Sequence, residues 1–288
     1  MKNIIKFLRI LMLITLIVIN LSSCNDNDDL DPSNPNGHSP TGELLPTEGL
    51  QYWLIDGSAY SVSIGTATAT QIVIPASHNG FPVVAVTSGG FMNSNINKIT
   101  IPDSVTTIGS NAFHGCISLT NVTIPNSVTT IGTNAFYGCI SLTNVTIPNS
   151  VTLIQRYAFA SCTGLTSVTI LSSVIGDDMF YFCNNLVNVV ISYGVTSIGS
   201  GTFANCTSLT SITIPNSVTS INIQAFISCT GLTSITIPKS VTLVGVQSFG
   251  YWTSNQTIII PYASLSAADA AWGASWRNNC NATIVFQP

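Results

Sequence analysis

Apolar residues return along this chain at a fixed interval. The segments IPDSVTTIGSNAFHGCISLTNVT from Ile101, IPNSVTTIGTNAFYGCISLTNVT from Ile124 and IPNSVTLIQRYAFASCTGLTSVT from Ile147 align at a period of 23 residues. Within each copy the stretch from Leu119 to Ile124 and its equivalents alternates. Strand geometry then puts Val122 and Ile124 inside and Asn121 and Thr123 outside. The proline that follows, Pro125, has no N–H to give a ladder and ends the strand. The other half of the copy, from Ile131 to Cys139, carries apolar residues at i, i+4, i+5 and i+8, which predicts a short helical or 3-10 turn. Each copy is therefore one coil, made of one short parallel strand and one short turn. Successive strands should stack at roughly 4.8 Å.

The period extends beyond these copies. A longer divergent copy starts at Ile74, full-length copies start at Ile191 and Ile214, and a last divergent copy starts at Ile237, giving eight coils over residues 74–260. The coil from Ile170 has 21 residues, Leu171 in the proline position and the pair Asp177-Asp178, which predicts a local irregularity with the two carboxylates in a solvated turn. A repeat of this length defines a solenoid, whose open ends need caps. Residues 49–73 alternate well enough for a β-rich N-terminal cap. Residues 261–288 should form the C-terminal cap, with a helix from Ser264 to Asn278 and an edge strand from Thr283 to Phe286. The position before each turn is Gly109, Gly132, Gly176, Gly199 or Gly245, but Gln155 and Asn222 in two coils. That mixture implies a tight spot that prefers a small residue without requiring a left-handed backbone.

The consensus I-P-x-S-V-T-x-I-G-x-x-A-F-x-x-C-x-x-L-T-x-[VI]-T resembles the BspA-type leucine-rich repeat, with L-x-x-[VI]-x-I as its strand part. The resemblance covers Ile74 to roughly Pro261. It implies a leucine-rich-repeat solenoid in a cell-surface protein of the kind common in Bacteroidetes, acting as an adhesin or host-interaction module.

The N-terminus carries an address. Lys2, Lys6 and Arg9 precede an apolar run from Ile10 to Leu21, then Leu21-Ser22-Ser23-Cys24. Residues 1–23 read as a signal peptide, too short an apolar run for a membrane span. The four residues ending at Cys24 resemble a bacterial lipobox, which implies cleavage before Cys24 and lipidation of its sulfur. Residues 24–48 are acidic and rich in Pro, Asn, Ser and Gly, as expected of a flexible tether. Acidic residues just after the lipidated cysteine resemble the signal that exports lipoproteins across the outer membrane. A lipid anchor in the outer membrane, facing the surface, is expected, with a periplasm-facing orientation as the alternative.

Charge narrows the functions. The 288 residues include only 7 Lys and Arg and 11 Asp and Glu. No basic patch exists to neutralise phosphates, so nucleic acid is excluded as a partner. Membrane contact is expected only through the lipid on Cys24.

Candidate chemistry is sparse. Cys116, Cys139, Cys162, Cys183, Cys206 and Cys229 recur once per coil without a CxxC pair, which reads as a ladder of buried thiols, not a zinc site. The histidines His38, His78 and His114 assemble no triad, so neither a catalytic residue, a metal site nor a cofactor is expected. Trp53, Trp252, Trp272 and Trp276 fall in the caps and read as cap core. Asp103-Ser104-Val105 resembles an O-glycosylation motif of Bacteroidetes, with Ser104 the acceptor.

The outward strand positions form two neutral columns. One holds Thr100, Thr123, Thr146, Thr169, Thr213 and Thr236, broken by Val190; the other holds Asn121, Asn144, Ser167, Asn188, Ser211 and Ser234. Rows of hydroxyls and amides either brace the sheet by cross-strand contacts or offer a binding face. As a face, they suit a protein partner, such as a host extracellular-matrix protein or another surface protein, or a glycan. The chain is expected to be a monomeric, non-enzymatic binding protein. A glycan-binding accessory lipoprotein that uses cap aromatics, or a structural surface scaffold with no tight ligand, are the other readings.

Overall fold

The computed structural model describes residues 45–288. It is a leucine-rich-repeat β-solenoid, and each regular coil contributes two short parallel strands where the sequence pattern showed one. The anticipated strands, here called A strands, run through Lys98–Thr100, Asn121–Val122, Asn144–Ile147, Ser167–Ile170, Asn188–Ile191, Ser211–Ile212, Ser234–Thr236 and Thr257–Ile260. Pairing is parallel and in register: Asn144 faces Ser167, and Ser167 faces Asn188. The additional B strands are two-residue pieces such as Thr107–Ile108, Thr130–Ile131 and Leu153–Ile154, also parallel. They bury Ile108, Ile131 and Ile154 as a second inward wall.

A column of phenylalanines fills the core. Phe91, Phe113, Phe136, Phe159, Phe180, Phe203, Phe226 and Phe249 are fully buried. Their rings stack coil on coil, with centroids 5.0 Å apart between Phe113 and Phe136 and 4.9 Å between Phe136 and Phe159. Both distances lie within the range for favourable aromatic pairs, about 4.5–7 Å.

The segment around each phenylalanine is a run of turns instead of a continuous 3-10 helix. In a 3-10 helix every N–H would bond three residues back. Here Ala112, His114 and Cys116 do so, whereas Asn111, Phe113 and Gly115 donate to Thr133, Ala135 and Tyr137 of the next coil. The alternation makes this side a hydrogen-bonded ladder too. It requires left-handed residues two before and two after each phenylalanine: Asn111 and Gly115, Asn134 and Gly138, Tyr157 and Ser161. Gly109 has an ordinary φ, and its smallness serves another need: a Cβ there would lie 2.6 Å from the backbone nitrogen of Ser88.

The short coil breaks the B ladder, as its irregularity predicted. Two residues are missing between Ile170 and Gly176, and among the described residues no B strand lies between Leu153–Ile154 and Ser197–Ile198. The buried hydroxyl of Ser172 takes over, donating to Val151 O at 2.8 Å and accepting the Val174 N–H at 3.0 Å. Of the carboxylate pair, Asp177 is exposed in a turn as expected, and Asp178 departs from the solvated turn. Asp178 is buried and pairs with Arg156 Nε of the preceding coil at 2.6 Å. Asp177 Oδ1 accepts the Ser200 N–H at 2.7 Å. Each carboxylate thus ties the short coil to a neighbour, Asp178 to the preceding coil and Asp177 to the following one.

The ends are closed by different means. At the N-terminal end the antiparallel hairpin Gln51–Ile55 and Ala59–Ser63 continues the B ladder through Phe81–Val86. Trp53 stands outside this cap, 51% exposed, whereas Trp252, Trp272 and Trp276 are cap core as expected. At the C-terminal end the helix Leu265–Trp272 stops at Gly273, with φ 76°, where a single helix to Asn278 was expected. A 3-10 turn, Ala274–Arg277, follows. The break lets Trp276 reach back to Asp269 Oδ1 at 3.0 Å and meet Phe249 edge-on. Thr283–Phe286 then pairs in parallel with Thr257–Ile260 as the edge strand.

Candidate binding face

The A strands present both predicted columns outward. Asn121, Thr123, Asn144, Thr146, Asn188, Ser211, Thr213, Ser234 and Thr236 are exposed, and Thr100, Ser167 and Thr169 are half-exposed. Val122, Val145 and Val168 between them are buried, so the pleat alternates as read. Register brings Thr146 beside Thr169, and Thr169 beside Val190. Val190 is 56% exposed, an apolar break in a hydroxyl column.

Cross-strand bracing by hydroxyls occurs in the neighbouring threonines. Thr120 Oγ1 donates to Asn97 O at 3.2 Å and Thr166 Oγ1 to Thr143 O at 3.1 Å. On the B side Thr106, Thr129 and Thr152 do the same to the coil before. The hydroxyls of Thr123, Thr146, Thr169, Thr213 and Thr236 make no such bond to another described residue and keep their hydrogen-bonding capacity for solvent or a ligand.

The face has a feature the repeat pattern did not flag. Gln71, Lys98 and Asn121 stand side by side across three strands. With Asn97, Thr120 and Thr123 they line a depression of about 390 Å³. Lys98 is the one charged residue in either column, in the position held by Asn or Ser from Asn121 to Ser234. Extending the asparagine column one coil back would have found it.

The remaining candidate residues are placed as follows. Cys24 and most of the tether lie outside the described residues. Ser104 is half-buried, and its hydroxyl donates to Val83 O at 2.7 Å; Ser127 does the same to Val105 O at 2.6 Å. A glycan on Ser104 would have to displace that bond. The repeat cysteines are free and buried, each donating to a phenylalanine carbonyl of the coil before, as Cys139 does to Phe113 at 3.2 Å. Burial pushes the Cys116 thiol up to about 11 and raises Cys183 and Cys206 as well. His78 stacks on Tyr52 and His114 on Tyr137, far apart in the chain and in different coils. Among the described residues no group of three His, Cys, Asp or Glu could hold a metal ion. None of the described helices is long and apolar enough to cross a membrane.

Comparison with known proteins agrees with this architecture. Residues 85–175 and 173–273 match the BspA type leucine rich repeat region, in 6 copies. Among solved structures, a leucine rich cell surface protein of Faecalibacterium prausnitzii A2-165 is 34% identical with a TM-score of 0.55, over 75% of this chain and 54% of that one. This chain thus spans about half the length of that protein. The leucine rich repeat protein of T. pallidum is 28% identical with a TM-score of 0.48, over 57% of this chain and 90% of its own. A leucine-rich repeat protein of Bacteroides ovatus ATCC 8483 is 19% identical with a TM-score of 0.42, over 84% and 99%. Among curated proteins nothing matches the chain.

Proposed function

This chain belongs to the BspA-type leucine-rich-repeat family, and from that premise we propose that it is a cell-surface binding protein without enzymatic activity, which holds a protein partner on the face of its A strands. Leucine-rich repeats of this type generally serve as binding scaffolds, and the Faecalibacterium relative is a cell surface protein. The observation that carries the reading is the division of labour among the threonines. Thr120 and Thr166, flanking the face, spend their hydroxyls inside the fold, and Thr123, Thr146 and Thr169 on the face do not. A ladder of short, stiff side chains loses little conformational entropy when a partner docks. The neutral face suits a protein surface, with a host matrix protein as the partner class and adhesion as the role.

Anchoring through a lipid on Cys24, in the outer membrane and facing outward, completes the proposal. The polar stretch after it would hold the solenoid clear of the bilayer. Cys24→Ser should release the protein from the membrane fraction; retention would remove the lipid from the reading.

The face is tested with a soluble chain beginning at Asn25, screened against extracellular-matrix proteins beside the double variant Thr146→Lys, Thr169→Lys. Saturable binding by the parent that disappears in the folded variant supports the face. Equal binding by both rejects it.

A further inference from the structure

The depression at Lys98 combines a cation without an acid partner and a set of unspent hydrogen-bonding side chains. Four Lys and Arg lie among the described residues. Arg156 pairs with Asp178 and Arg277 with Asp269, each at 2.6 Å. Lys98 is in no such pair, and its neighbours in the column, Gln71 and Asn121, are neutral amides. The side chains of Gln71, Asn97, Asn121 and Thr123 make no hydrogen bond to another described residue. Thr120 Oγ1 holds the Asn97 carbonyl at 3.2 Å and fixes the wall of the depression. Ile99, 4% exposed, lies under it. The volume of about 390 Å³ falls in the range of small-ligand sites, about 300–1,000 Å³.

We propose that this depression binds a carboxylate-bearing sugar, a uronic or sialic acid residue. The proposal rests on the A-strand face being a binding surface and gives one end of it a ligand. A single ammonium matches a single carboxylate. A polyanion would need a row of cations, and the columns carry no other, in a chain of net charge −4. A peptide carboxylate would use Lys98 but would have to order a flexible backbone to reach the amides. A ring bearing several hydroxyls engages Gln71, Asn97, Asn121 and Thr123 at once, because each amide both donates and accepts.

The test is ligand-observed NMR on the full chain with D-glucuronate, N-acetylneuraminate and D-glucose. The acidic sugars are expected to bind saturably and D-glucose at least about tenfold more weakly, the loss of one charge-assisted contact. Lys98→Gln should remove this preference while its thermal unfolding stays as in the parent, since the side chain is exposed. Lys98→Arg should keep it, and Lys239→Gln, in the other unpaired cation, should leave it unchanged. Equal response to all three sugars, silence from all three, or a Lys98→Gln variant that still prefers the acids would overturn the site. The double variant Thr146→Lys, Thr169→Lys separates the two readings. Its substitutions begin two coils from Lys98, about 10 Å along the ladder, and one coil from Thr123 at the edge of the depression, so it should lose the protein partner and still prefer glucuronate to D-glucose.

Discussion

The indole N–H of Trp252 donates to the carbonyl oxygen of Phe226 at 2.9 Å. In the coils before it the same bond is made by a cysteine thiol, from Cys229 to Phe203 at 3.0 Å and from Cys206 to Phe180 at 3.3 Å. Trp252 stands where the repeat would place the next cysteine. It keeps the hydrogen bond and adds a ring that meets Phe249 edge-on at 5.3 Å. The last coil is thus closed by a larger side chain in the thiol position. Trp252→Phe, which keeps most of the ring and loses the donor, should cost about 1 kcal/mol in urea unfolding. Trp252→Ala, which opens the end of the core, should cost about 3–5 kcal/mol.

Phe136 lies between two stacked rings, so its loss is felt in three coils. Phe136→Ala should cost about 3–5 kcal/mol by the same measurement. In a solenoid each coil is stabilised by its neighbours, so hydrogen exchange should quicken in the coils of Phe113 and Phe159 as well. A melting curve matching the parent would mean that the stacked column contributes nothing.

Period and alternation made the coil, its inward Val122, Ile124 and Phe136 and the outward columns legible in the sequence. The B strands escaped because a two-residue strand such as Thr107–Ile108 is too short to show alternation. Left-handed positions escaped for a different reason. Asn111, Tyr157, Asp178 and Gln224 occupy equivalent left-handed sites, so no residue type marks the site, whereas Gly109 and Gly132, two positions before such sites, answer a close backbone approach. Nothing in the order of residues joins Asp178 to Arg156, 22 positions earlier. Lys98 was visible as a charge, but its neighbour Gln71 lies outside the 23-residue repeat, so the period did not bring the two together.

The thiol ladder should be chemically silent. The thiolate is the reactive form, and burial lifts the Cys116 thiol to about 11 and raises Cys229 further. In the chain from Asn25 at pH 8, an aromatic disulfide reagent should titrate Cys280, which is half-buried, slowly and the six ladder thiols not at all. Urea should release all six together. Rapid reaction of Cys139 or Cys162 in the folded protein would contradict the buried ladder.

Phe182 occupies a left-handed site, with φ 59°, that is glycine at Gly115 and Gly138. A bulky side chain there strains the backbone by about 1–2 kcal/mol, which asparagine largely avoids. The ring is exposed, so little packing is lost on removing it. Phe182→Asn should therefore raise stability by about 0.5–1 kcal/mol, read as a higher urea midpoint at unchanged slope. A lower midpoint would show that the contact of Phe182 with Tyr181, centroids 4.6 Å apart, outweighs the strain.

Acid should loosen the C-terminal cap before the coils. Hydrogen bonding from Arg277, with help from the Trp276 indole, holds the Asp269 carboxyl below its ordinary value of 3.8. A carboxyl whose value is depressed by folding contributes stability above the unfolded value and loses it as pH falls through the folded one. The cap should therefore be steady from pH 7 down to about pH 5, by the ordinary carboxylate values, and weaken as pH drops below 3.8. Asp269→Asn removes the ion pair, so it should cost about 1 kcal/mol or less at pH 7, as partly exposed pairs do. It should also flatten the acid limb. The readout is intrinsic tryptophan fluorescence, because Trp272 and Trp276 pack in this cap with ring centroids 5.5 Å apart. An acid limb unchanged by Asp269→Asn would reject this ion pair as its source.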